Sequence, residues 1–101
     1  MPGFDRLGVS PDALARLCVE FGVRELAAFG SVLRDDFTDQ SDVDLLVEFE
    51  PGRRIGLFEL LRLQHRLEDL VHRPVDLVPK DGLKPLVRDR VLSDARTVYA
   101  A

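Results

Sequence analysis

A single cysteine, Cys18, occurs among the 101 residues, so no disulfide can form within the chain and the fold must be held without one. Long apolar runs are missing as well: no stretch approaches the roughly 20 residues that a membrane-crossing helix needs, and no membrane association is expected. Positive charge is not in excess. A formal net charge of −4 argues against stable nucleic-acid binding, which depends on clustered Lys and Arg. Met1 to Gly8 lacks the basic and then apolar pattern of a signal peptide, and a cytoplasmic location is expected. There is no internal repeat, low-complexity tract or composition break, so residues 1–101 read as one domain.

What is present suits a folded protein. Hydrophobic residues make up 46% and charged residues 32% of the chain, a balance of globular rather than disordered sequences, and this length can bury a self-sufficient core. Ser10-Pro11-Asp12 supplies an N-cap, a proline at the first helical position and an acid in the first turn. Leu14, Leu17, Cys18 and Phe21 follow at helical spacing, and Gly22 is the stop. Cys18 falls on the apolar side of this helix and reads as a small core residue. Val23 to Phe29 is a strand that runs into Gly30-Ser31, with a short helical turn expected over Ser31 to Arg34 and a polar loop to Gln40.

A second strand spans Ser41 to Phe49, with Ser41 capping the loop before it, and Glu50-Pro51-Gly52 ends it. Leu57, Leu60, Leu63, Leu67 and Leu70 predict a long helix whose stripe Phe58 and Leu61 widen. Arg73 to Val78 is a third strand with proline near its start. Leu83, Leu86, Val87 and Val91 mark a last helix, and Thr97 to Tyr99 a short edge strand. The order α, β, short α, β, α, β, α predicts an α/β fold, a short mixed sheet packed with helices.

Chemistry concentrates between Phe29 and Phe49. Alternate strand residues share a face, so Asp42 and Asp44 look into one space while Val43, Leu45 and Val47 face the other way. Two unit charges about 4 Å apart repel by about 4 kcal/mol at an effective dielectric of about 20, so a divalent cation or a shared proton is expected between them. The Gly30-Ser31 turn favours the cation, with a phosphate held by backbone N–H groups and a hydroxyl. Asp76, between Val75 and Leu77, would join the pair if its strand lies beside the second. Three carboxylates would hold two divalent ions about 3.5 to 4 Å apart, a phosphoryl-transfer device.

These residues, Phe29-Gly30-Ser31, Arg34, Ser41 to Phe49 with Asp42-Val43-Asp44, and Val75-Asp76-Leu77-Val78, resemble the minimal nucleotidyltransferases of the DNA polymerase beta superfamily, over nearly the whole chain. The resemblance implies a small nucleotidyltransferase fold in which Asp42, Asp44 and Asp76 are the catalytic residues and hold two Mg²⁺ ions. Asp76 would act toward the incoming hydroxyl, and Gly30, Ser31 and Arg34 would hold the phosphates of ATP. Many members carry Gly after that arginine, where this chain has Asp35. Small stand-alone members are similar to antitoxins that silence a HEPN-type ribonuclease toxin by transferring AMP from ATP to a toxin tyrosine, and the apolar stripe near Phe58 and Leu61 would help dock that partner in a hetero-oligomer. Homo-oligomers are equally compatible with the sequence.

Two rivals belong to other classes: an antitoxin that inhibits its partner by contact alone, and a nucleotide-sensing binding module. Blander readings attach to other residues. Asp76 would serve as a salt-bridge partner of Arg73 or another arginine. His65 and His72, seven residues apart, read as solvent-facing rather than as a metal pair. Arg53-Arg54 and Lys80 to Arg90 read as solvated faces, while arginines such as Arg34, Arg53, Arg54, Arg62 and Arg66 are candidates for a local anion site.

Overall fold

The computed structural model of the chain describes residues 9–30 and 42–101. The first helix, α1 (Pro11–Phe21), starts as its sequence predicts: the Ser10 hydroxyl accepts from the Ala13 N–H at 3.3 Å, Pro11 opens the helix, and Gly22 closes it in the left-handed conformation at φ 70°. Strand β1 (Val23–Phe29) follows, then β2 (Val43–Phe49), helix α2 (Leu57–Val71), strand β3 (Val75–Pro79), a 3₁₀ turn (Lys80–Gly82), helix α3 (Pro85–Asp94) and strand β4 (Arg96–Ala100). The third strand begins two residues later than the sequence predicts. The Pro74 carbonyl accepts the Val43 N–H at 2.9 Å, but proline has no N–H to return.

The strands form one mixed sheet in the order β3-β2-β1-β4, with β1 antiparallel to β2 and to β4, and β2 parallel to β3. Helices α1 and α2 cover one face. Leu14, Leu17, Cys18 and Phe21 from α1 and Leu63, Leu67 and Val71 from α2 meet Leu26, Ala28, Val43, Leu45, Val47, Val75 and Leu77 of the sheet in a single core. Arg66 reaches from α2 to both carboxylate oxygens of Glu20, at 3.0 and 3.2 Å, and the guanidiniums of Arg62 and Arg66 lie about 6 Å from the Phe21 ring centre, within cation–π range. Both arginines are thus committed to the helical side of the sheet.

Two bulges adjust which side chains reach the core. Val23 pairs with Phe49 and Glu25 with Glu48, so β1 spends one extra residue, Arg24, against β2. That residue resets the alternation and sends both Val23 and Leu26 inward; they are 2% and 0% exposed. The register of β4 shifts in the same way around Val98, and both Val98 and Tyr99 pack on the core.

Candidate functional site

The face of the sheet turned away from α1 and α2 carries the acids. Val43 and Leu45 are fully buried on the core side, so Asp44 between them faces the other way. Asp76 does the same between the buried Val75 and Leu77. In the parallel ladder Asp44 pairs with Asp76, and in the antiparallel ladder Asp44 pairs with Phe29, the residue before Gly30. One row across three strands therefore brings together Gly30, Asp44 and Asp76. Asp42 is exposed just before β2 begins, one residue from Val43, whose N–H is held by Pro74.

Gly30 has φ +72°, and a Cβ placed there would collide with Oδ2 of Asp44. The backbone of the turn lies directly against that carboxylate, an approach that only glycine permits. Ser31, Arg34 and Ser41, also singled out by sequence, lie outside the described residues, as does the expected turn from Ser31.

The donors suit a hard divalent cation: three carboxylates, two of them at one ladder position on neighbouring strands, and no thiol or imidazole. As they stand, however, no three His, Cys, Asp or Glu side chains among the described residues are gathered closely enough to hold a metal ion. The strands align Asp44 with Asp76 without closing a cage. Asp42 and Asp44 both make further polar interactions.

The same face continues past Asp44. Leu46 pairs with Ala27 and Val78 in the next row, and Glu48 lies across from Glu25 in the one beyond. Lys80, expected in a solvated face, is instead half-buried and paired with Glu48 at 3.2 Å. Only the ladder could have revealed it, since Lys80 follows Pro79, the partner of Val47. Sequence reasoning also missed Glu68 on α2, whose carboxylate accepts the Val75 N–H at 3.0 Å and so ties down the residue before Asp76. His65 and His72 are exposed, and His72 ends α2 in the left-handed conformation at φ 58°.

Leu57, Phe58 and Leu61 are 69%, 83% and 40% exposed. They lie on the first turns of α2, which runs from the far end of β2 back to the start of β3. The length of a 15-residue helix, roughly 20 Å, thus separates Phe58 from the level of the acidic row. Among the described residues, no helix is long and apolar enough to cross a membrane.

Known proteins resemble this chain in sequence and fold. A family model for the nucleotidyltransferase domain matches residues 12–98. The protein adenylyltransferase MntA of Thermococcus cleftensis is 42% identical over 74 residues, which cover 73% of this chain and 73% of the relative. A solved structure described as a minimal nucleotidyltransferase is 41% identical, with a TM-score of 0.70 over 85% of this chain and 86% of that one. A solved structure of the tri-AMPylated Shewanella oneidensis HEPN toxin in complex with MNT antitoxin matches at a TM-score of 0.65 over 90% of this chain and 70% of that one. Its identity is 16%, and the likeness there is one of fold.

Proposed function

Because the chain belongs to the nucleotidyltransferase domain family, we propose that it transfers AMP from ATP to a hydroxyl of a partner protein, a tyrosine of a cognate HEPN-type ribonuclease toxin, and so acts as that toxin's antitoxin. The observation that carries this reading is the alignment of Asp44 with Asp76 on neighbouring strands, at the level where β1 delivers Gly30. Support for the protein acceptor comes from the relatives: one is named a protein adenylyltransferase, and a fold neighbour is an MNT antitoxin bound to an AMPylated HEPN toxin.

In this reading the whole of residues 1–101 is one catalytic domain working in the cytoplasm. Gly30, Ser31 and Arg34 hold the triphosphate, with backbone N–H groups and the serine hydroxyl meeting phosphate oxygens. Asp42, Asp44 and Asp76 would hold Mg²⁺, two ions in the full site, and the metal would lower the pKa of the attacking hydroxyl and neutralise charge on the pyrophosphate leaving group. Asp76 faces the incoming hydroxyl and accepts its proton. The acceptor oxygen then bonds to the α-phosphorus while the bond to the β-phosphate oxygen breaks, releasing pyrophosphate. Positioning of the two substrates provides much of the rate.

The experiment mixes the protein with α-labelled ATP, Mg²⁺ and a candidate HEPN-type ribonuclease. Label should appear on a tyrosine of the ribonuclease, and its nuclease activity should fall. The double variant Asp42→Asn, Asp44→Asn should lose transfer by roughly 100-fold or more. A native protein that neutralises the ribonuclease without transferring label, and a double variant that does so equally well, would establish inhibition by contact instead.

A further inference from the structure

The row of Asp44 and Asp76 uses only one end of the open sheet face. Over the next two rows is a cavity of about 300 Å³ with Leu46 of β2 on its floor and Leu92 of α3 in its wall. Leu46 is 4% exposed yet stands outside the main core. The helix that covers it joins β3 to β4, the two opposite edges of the sheet, and contributes no buried residue of its own. This crossing leaves a gap between α3 and the sheet rather than a sealed second core.

The rim of the gap is polar. Lys80 donates to Oε1 of Glu48 at 3.2 Å and Thr97 donates to Oε2 of Glu25 at 2.8 Å. Each pairing engages one oxygen of a carboxylate that has two, so Glu25 and Glu48 retain capacity to accept. Apolar walls with acceptors and a donor at the edge suit a flat heteroaromatic ring carrying an exocyclic amino group. A second cation suits the slot poorly, since it would meet the Lys80 ammonium. A phenol would offer a single donor to two carboxylates.

We infer that this slot between α3 and the sheet, rimmed by Glu25, Glu48, Lys80 and Thr97, receives the amino-bearing base of the nucleotide whose phosphates lie at Gly30. The inference rests on the proposed nucleotidyl transfer and adds where the base is read. It assigns the choice of nucleotide to residues other than the acids.

Calorimetry on the full chain with Mg²⁺ tests it, using the non-hydrolysable analogue AMP-PNP and inorganic tripolyphosphate as probes. Leu92→Trp fills the slot from a helix that buries nothing, so the fold should survive. It should weaken AMP-PNP binding by about tenfold or more while tripolyphosphate binding stays unchanged. Replacing the ion pair in the double variant Glu48→Met, Lys80→Met removes rim contacts without stranding a charge. It should narrow the preference for ATP over purine riboside triphosphate, which lacks the 6-amino group, by about fivefold or more. Unchanged AMP-PNP binding in Leu92→Trp, or a rise confined to the KM of the protein acceptor, would overturn the assignment of the slot. A wild-type protein that binds AMP-PNP but labels no acceptor would instead overturn the proposed transfer and leave the slot standing.

Discussion

Asp44 and Asp76 are partners in the parallel ladder of β2 and β3, two carboxylates at one level on one face of the sheet. Neighbouring strands lie about 4.8 Å apart, so like charges at one level repel. Asp76 is exposed, and solvent limits the repulsion to about 1 kcal/mol or less. Asp76→Asn should therefore raise the melting temperature slightly in metal-free buffer, by a few degrees at most. Adding Mg²⁺ should stabilise the wild type by binding only the folded form and stabilise the variant less. Thermal scans with and without MgCl₂ decide the matter, and an equal Mg²⁺ response in the two proteins would remove Asp76 from the site.

Gly30 offers a sharper test of the same row. Alanine there must adopt φ near +72° and push its Cβ into the Asp44 carboxylate. The backbone conformation alone costs about 1 to 2 kcal/mol, and the collision displaces the acid. Gly30→Ala should lower both stability and transfer, whereas Gly82→Ala, where a Cβ meets nothing within 4 Å, should change neither by much. Paired denaturation and labelling assays on the two variants separate the local effect from any general intolerance of a methyl group.

Much of this was legible in the sequence because the signals were local. Ser10-Pro11 and Gly22 bracket α1, leucine spacing marks α2, and the apolar neighbours of Asp44 and Asp76 betray acids on otherwise buried strands. The bulge at Arg24 was hidden: it places Val23 and Leu26 on the same side, which breaks the two-residue period on which strand reading relies. Pairings such as Lys80 with Glu48 or Glu68 with Val75 depend on strand order and on where α2 docks. No spacing along the chain encodes them. Arg62 and Arg66 illustrate the converse, since as candidates for an anion site they turned out to grip Phe21 and Glu20 on the opposite face.

Cys18 predicts how stability responds to alkali. Its thiol is fully buried, and burial pushes its pKa from 9.0 up to about 12. Below pH 9 both folded and unfolded thiols are protonated and the residue is neutral toward pH. Between about 9 and about 12 the unfolded thiol ionises while the folded one does not, so the unfolded state binds fewer protons and stability falls as pH rises. Melting temperatures of the wild type should thus drop faster from pH 8 to pH 10 than those of Cys18→Ala, although the variant starts lower because it leaves a cavity. The native thiol should also resist alkylation at pH 8 and react only after denaturant is added.

Glu68 anchors the residue before Asp76. β3 is an edge strand, and the Val75 N–H is met by the Glu68 carboxylate rather than by another strand, while Pro74 just before it receives Val43. The start of β3 is therefore fixed from both sides. A carboxylate near the C-terminal end of a helix opposes the helix dipole, so its position there is better explained by this bond than by helix stability. Glu68→Ala should slow transfer by about tenfold through kcat, with the KM for ATP little changed, while Glu68→Gln, which keeps an acceptor oxygen, should recover most of the rate. In an Asp76→Ala background the same substitution should cost almost nothing more, because its effect runs through the residue already removed. Equal losses in both backgrounds would make Glu68 a general support of the fold and not a positioning residue for Asp76.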